Sequence, residues 1–204
     1  LFATPLALLA AIYTTEFAPR WIREFIKPII EMLAGIPSVV LGFFALIVLA
    51  TVLQDLFDLE YRLNAINAGI ALGLAVIPIV YTICEDALTA VPRSYRNASL
   101  ALGASPWQTA WNVVLPSALP GVFAGIVLGF GRAIGETMIV LMASGNAAIT
   151  SWNFAEPVRT LSASIAAELG EVVFGSPHYH VLFLLGVMLF VITFTVNWIG
   201  TIAV

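Results

Sequence analysis

Two residue types that carry much of protein chemistry are nearly missing. The 204-residue chain has one cysteine, Cys84, and one lysine, Lys27. A single thiol excludes a disulfide framework and any CxxC metal or redox pair, and Cys84 reads as a small packing residue. Lys27 lies in Arg23-Glu24-Phe25-Ile26-Lys27-Pro28, with no glycine-rich loop before it, so a Walker A cradle for nucleotide phosphates is excluded. Charge is scarce as well: 10% of residues are charged and the net charge is −4, which leaves no basic footprint for nucleic acid. His178 and His180 have no ligand cluster around them, so no metal site is expected. No Ser/His/Asp or Cys/His constellation points to a nucleophile.

Apolar residues are what the chain has in excess. They make up 61% of it, and the mean hydropathy is +1.02. A soluble domain has about 45–50% apolar residues and about 25% charged ones, and a core of this size cannot bury such an excess. The composition predicts an all-α polytopic membrane protein. Four runs are long enough for the ~20 residues that a crossing helix needs: 28–53, 64–84, 119–143 and 180–203. A fifth run, 1–13, is too short to cross and lacks the features of a signal peptide. It reads as the remainder of a truncated N-terminal membrane helix. No repeat or linker is visible, so 1–204 reads as one membrane domain.

Alternating loops place 14–27 and 85–118 on one side, and 54–63 and 144–179 on the other. The first pair contains Arg20, Arg23, Lys27, Arg93 and Arg96; the second has only Arg62 and Arg159 among several acids. The positive-inside rule puts the first pair, and with it the C-terminus, in the cytoplasm. In the external loop, Val158, Leu161, Ile165, Leu169 and Val172 recur at helical spacing. They predict an amphipathic helix with Pro157 at its first position.

The 85–118 loop has helix punctuation. Pro92 is placed to open a helix and Gly103 to close it in a left-handed conformation. Ser105, Pro106 and Gln108 then form a capping-box pattern for a second helix, which Pro116 is expected to end. The prediction is a cytoplasmic helical hairpin that presents Leu100 and Ala101 around a tight turn. It either enters a partner's groove or packs on its own bundle.

Two charges, Arg132 and Glu136, fall inside the 119–143 run. Each costs about 2.5–3.5 kcal/mol in a bilayer on insertion scales, so such residues are functional candidates. At i, i+4 they are expected on one helix face. They form either a neutralising pair at a subunit contact or a gate for an anion. A guanidinium fork suits phosphate oxygens. A neighbouring carboxylate accepts a hydrogen bond from protonated phosphate and repels sulfate. Gly35-Ile36-Pro37-Ser38 interrupts another run. A broken membrane helix is tolerated where it lines a cavity or packs on protein, so Ser38 and nearby backbone N–H groups are candidate lining.

Asn97-Ala98-Ser99, three residues, Gly103, nine residues, then Val113-Val114-Leu115-Pro116 resembles the EAA signature of ABC importer permeases, with Asn97 in place of Glu and Ser99 in place of Ala. Three more segments resemble the phosphate-specific (Pst) branch of that family: the run from Ile30 through Gly35-Ile36-Pro37-Ser38 to Val40, Ala90-Val91-Pro92-Arg93-Ser94, and Gly131-Arg132-Ala133-Ile134-Gly135-Glu136-Thr137-Met138. Met142-Ala143-Ser144-Gly145-Asn146 and His178-Tyr179-His180-Val181-Leu182-Phe183 look like its C-type subunit. The resemblance implies a type I ABC importer permease fold in a bacterial inner membrane and a non-catalytic subunit of a phosphate importer. Its implied partners are an A-type permease, a cytoplasmic ATPase dimer and an external phosphate-binding protein. ATP and magnesium would belong to the ATPase, with no cofactor on this chain. Asn97, Ala98, Ser99, Leu100, Ala101, Gly103, Leu115 and Pro116 would couple to the ATPase, and Pro37, Ser38, Arg132, Glu136 and Thr137 would line the path. The rival readings are a permease for molybdate or sulfate, and an ion-coupled secondary transporter.

Overall fold

A computed structural model describes residues 1–203; Val204, the last residue of the expected 1–204 domain, lies outside the described residues. The described residues form helices and one isolated β-bridge, Gly145 with Val158. Their order is α1 (Ala3–Ile12), α2 (Arg20–Ala34), α3 (Ser38–Phe44), α4 (Ala50–Phe57), α5 (Ala65–Ala90), α6 (Arg93–Ala101), α7 (Pro106–Thr109), α8 (Leu115–Gly135), α9 (Met138–Ala143), α10 (Leu161–Glu168) and α11 (Pro177–Ala203). Wide π turns at Tyr13–Phe17, Ala45–Leu49 and Ala110–Val114 continue α1, join α3 to α4 and join α7 to α8.

Four helices are long and apolar enough to cross a bilayer: Ser38–Phe57, Ala65–Ala90, Pro106–Gly135 and Pro177–Ile202. Two of the predicted spans need correction. The 28–53 run is two elements, because the chain breaks between Ala34 and Ser38. Pro28 lies inside the amphipathic α2, which has no buried residue, and the crossing helix starts only at Ser38. Pro37 cannot supply the N–H that would continue α2. The 119–143 run is also displaced. The crossing helix begins at Pro106, runs through Leu115 and Pro116, and ends at Gly135. Pro116 was expected to end a helix. The π turn just before it widens the backbone where the proline ring would otherwise strike the Asn112 carbonyl.

The described residues gather into two compact units. The first comprises Leu1–Gly35, Val76–Phe130 and residues 196–203. Its close contacts are made by small residues. A Cβ on Gly125 would stand 3.1 Å from Ile83 Cγ2, and one on Gly129 would stand 2.5 Å from Val80 Cγ2. Cys84 is buried against Val122, as a packing residue.

The second unit comprises Ile36–Ala75 and Gly131–Thr195. Its centre is Ala45, Ala68, Ala71, Ala75, Ile139 and Ala143. Alanines let helix backbones approach closely, which is how membrane helices pack without a hydrophobic drive between them. Fully buried Asn67 ties three segments together. Its Nδ2 donates to Ala143 O at 3.0 Å and to Ala45 O at 3.4 Å.

Candidate functional site: a capped hairpin and a broken helix

The hairpin in the first unit forms as its punctuation predicts. Pro92 is the N-cap of α6. Gly103 has φ +88°, and a Cβ there would meet nothing within 4 Å, so its requirement is conformational rather than steric. Its N–H donates to Leu100 O at 3.0 Å, and the Ala104 N–H donates to Ser99 O at 3.2 Å, which closes a Schellman motif. The Gln108 N–H donates to Ser105 Oγ at 3.2 Å while the Ser105 N–H donates to Gln108 Oε1 at 2.8 Å, the full capping box. Asn97, Ala98, Leu100, Ala101 and Gly103 are exposed at the tip, with Leu102 90% exposed beside them. Ser99 faces inward and its hydroxyl shares a hydrogen bond of 2.9 Å with that of buried Thr109. Leu115 is half-buried and Pro116 exposed, both in the helix that leaves the hairpin.

The hairpin is anchored by pairs whose partners lie far apart in the sequence, which no local pattern marks. The Arg96 guanidinium reaches Glu16 Oε1 at 2.8 Å and Oε2 at 3.2 Å, and also donates to the carbonyls of Leu88 and Val91. The pair is mostly buried, with side-chain exposures of 19% and 10%. Lys27 Nζ lies 3.0 Å from Glu85 Oε2. That hydrogen bond, with the negative charges of Glu85, Asp86 and Glu31, holds the ammonium above its usual 10.5 against partial desolvation. Buried Tyr81 donates its hydroxyl proton to Thr14 Oγ1 at 2.9 Å, and Phe17 packs on Trp107 with ring centroids 5.7 Å apart. The Glu16–Arg96 and Lys27–Glu85 pairs join the 14–27 loop to the 85–118 loop. The two basic loops therefore share one side, as the alternation requires. Likewise, the N–H groups of Ala65 and Ile66 donate to Glu156 O and Phe154 O in the second unit, joining the 54–63 end to the 144–179 loop.

The candidate path residues all fall in the second unit. Arg132 is exposed in the last turn of α8, whereas Glu136 and Thr137 are half-buried and lie outside any helix, between α8 and α9. The expected i, i+4 stacking is therefore absent. No ion pair joins Arg132 to Glu136 among the described residues. The Leu141 N–H donates to Thr137 O and opens α9, which leaves the Glu136 carbonyl outside the ladder. That carbonyl accepts from Ser162 Oγ at 2.9 Å. Pro37 is exposed as the N-cap of α3, and Ser38 is half-buried at its first position.

The helices that restart after the two breaks run in the same sense. Gly42 meets Met138 and Ile139, and one turn on, Ala45 O and Ala143 O meet the same Asn67 amide. Ser38 and Thr137 thus stand at the beginnings of neighbouring helices. The helix expected in the 144–179 loop is shorter than predicted. It covers Leu161–Glu168 with Thr160 as N-cap, because Thr160 Oγ1 accepts the Ala163 N–H. Pro157 lies before it, in the loop packed against Gly145.

This arrangement is that of a known class of membrane proteins. The structure superposes on the methionine ABC transporter MetNI, solved in inward-facing conformations, with a TM-score of 0.71 and 21% identity. The match covers 100% of this chain and 88% of that one. The fold is that of a type I ABC importer permease. In sequence, the chain is 36% identical over 194 residues to the probable ABC transporter permease protein YqgH of Bacillus subtilis, covering 95% of this chain and 63% of that protein. It is 35% identical over 215 residues to the phosphate transport system permease protein PstC of Xylella fastidiosa, covering 96% of this chain and 66% of that protein. The chain thus spans slightly less than two thirds of those relatives. A family pattern described as "Binding-protein-dependent transport system inner membrane component" matches residues 3–204. The hairpin, the four apolar helices and these matches agree: the chain is a multi-pass membrane protein that belongs to the family of binding-protein-dependent transport system inner membrane components.

Proposed function

We propose that the chain is the translocation subunit of an ATP-driven inorganic phosphate importer. The observation that carries the substrate is the pair Arg132 and Glu136. Arg132 lies in the last turn of an apolar helix and Glu136 just beyond its end, and neither side chain has an ion-pair partner among the described residues. An unpaired guanidinium at the end of an apolar helix favours an anion, and its planar fork matches the tetrahedral oxygens of phosphate. The Glu136 carboxylate then accepts the hydrogen bond of a protonated phosphate and disfavours fully ionised sulfate. Thr137, Ser38 and Pro37 line the same path. The phosphate-transport name of the Xylella fastidiosa relative supports this choice.

The hairpin side is cytoplasmic by the positive-inside rule, which also places the C-terminus there. Its exposed Asn97–Leu102 tip enters an ATPase subunit, one of a pair that holds ATP and magnesium. A push on the hairpin acts on the helix Pro106–Gly135, whose far end carries Arg132. A second permease of the A type completes the path, and an external binding protein delivers phosphate. This chain makes and breaks no covalent bond.

Labelled-phosphate uptake by the full-length protein in cells tests the reading. Arg132→Ala removes a charge-assisted contact and is expected to reduce uptake by about ten- to a hundredfold with the complex intact. Glu136→Gln is expected to let sulfate compete. If Glu136→Gln leaves uptake and anion preference unchanged, the phosphate path does not run past this carboxylate. Uptake that competes with molybdate better than with phosphate would favour the other oxyanion.

A further inference from the structure

Ser162 is a buried serine, 5% exposed, on the second residue of α10, and nothing in the proposed path uses it. Its hydroxyl donates to the Glu136 carbonyl at 2.9 Å. A hydroxyl has one proton, so the 3.2 Å contact between Thr160 Oγ1 and Ser162 Oγ has Thr160 as donor. The Ala163 N–H donates in turn to Thr160 Oγ1. Every hydroxyl proton in this chain of bonds therefore points toward the break between α8 and α9.

The far end of α10 is also held. Glu168 Oε1 lies 2.6 Å from Arg159 Nη1, and Oε2 lies 2.8 Å from His178 Nε2. Arg159 Nε also donates to Asn146 O at 3.0 Å. With both ends tied, the first turn of α10 stays against the break.

The break has a competing conformation. In an unbroken helix the Val140 N–H would bond to the Glu136 carbonyl, a bond absent among the described residues. Such a helix would also set Arg132 and Glu136 at i, i+4 on one face, where opposite charges pair. Paired with each other, they would no longer offer an empty guanidinium and carboxylate to an anion. In the broken form the Glu136 carbonyl has no ladder N–H, and the Ser162 hydroxyl supplies the hydrogen bond it would otherwise lack, which favours that form.

We propose that Ser162 is a positioning residue for anion selection: it holds the helix break at Glu136 open and keeps Glu136 from neutralising Arg132. The inference rests on the reading of Arg132 and Glu136 as the phosphate path. It assigns a residue of the external helix to the control of that path.

The test is labelled-phosphate uptake in cells carrying the full-length permease with its ATPase and binding protein, with sulfate as competitor. Ser162→Ala is expected to raise KM about three- to tenfold, the effect of one lost hydrogen bond, and to let sulfate compete, while maximal uptake per assembled complex changes little. Ser162→Thr, which keeps the hydroxyl, is expected to restore both. If Ser162→Ala does not assemble, Ser162→Cys keeps the volume with a weaker donor, and KM should still rise. A Ser162→Ala or assembled Ser162→Cys protein with unchanged KM and anion preference overturns the proposal when Glu136→Gln alters both. If Glu136→Gln alters neither, the path reading itself fails and the proposal with it. A fall in maximal uptake alone, with KM and preference intact, also overturns it, because that is what a merely structural serine would give.

Discussion

In the hairpin, Ser99, Ser105, Gln108, Thr109 and Arg96 bond to the chain's own backbone and side chains. At the break between α8 and α9, the backbone is held and Thr137 Oγ1 donates to Gly135 O at 3.3 Å, but the charged side chains are left uncommitted. The Glu136 carbonyl has Ser162, but among the described residues the Arg132 guanidinium and the Glu136 carboxylate have no ion-pair partner. A part that transmits a push works best when its shape is fixed before the push arrives. A part that selects an ion needs a fixed backbone and uncommitted side chains. The two regions divide their polar groups along that line.

The sharpest way to break the comparison is at the hairpin turn. Gly103→Pro forbids the φ of +88° and removes the N–H that bonds Leu100 O. Uptake is expected to fall to background. Gly103→Ala tests conformation alone, since its Cβ meets nothing within 4 Å; it costs about 1–2 kcal/mol of local stability and should reduce uptake only partly. Normal uptake from Gly103→Pro would mean that the hairpin drives nothing, and an ion-coupled transporter would become the better reading.

Arg96→Met probes the anchoring of the hairpin. It leaves Glu16 as a mostly buried carboxylate without its partner, at an expected cost of about 3–5 kcal/mol. A melting temperature of the purified complex equal to wild type would show that the base is not held in this way. In the other unit, Asn67→Ala withdraws an amide that bridges Ala45 and Ala143. Destabilisation by about 1–2 kcal/mol is expected, with faster hydrogen exchange confined to α9 and its neighbours. Exchange that rises instead in α6 and α7 would contradict the separation of the two regions.

The smallest effect concerns Lys27, whose folded value is raised by Glu85 first and then by the other nearby acids. A raised folded value means that the contribution is fully present below the ordinary 10.5 and is lost as pH rises through the folded value. Lys27→Met should therefore differ from wild type from neutral pH up to about 10 and converge with it in stronger alkali. A difference that grows with rising pH would have the wrong sign.

The hairpin was legible because its signals are local. A proline before the helix, a glycine at the left-handed position and a serine three residues before glutamine each act within one turn, and all three occur as expected. The helix limits at Pro116 and at Glu136 were not legible. A run of apolar residues, even one that contains two charges, does not reveal where the hydrogen-bond ladder is carried past a proline or broken before a threonine. Arg96 and Glu16 are 80 positions apart, and Ser162 is 26 from Glu136, so no local pattern marks either contact.

The sequence by itself determined that this is a multi-pass helical membrane protein with a capped hairpin, because composition, period and capping depend only on neighbouring residues. It also marked Arg132 and Glu136, because charge within an apolar run is costly wherever the run folds. The tertiary structure decided that these two charges do not stack on one helix, since α8 ends at Gly135 and the Glu136 carbonyl is bonded by a hydroxyl from a helix far along the chain rather than by a ladder N–H. It also decided how the loops on each side are joined, through ion pairs and backbone bonds that form only once the helices have packed.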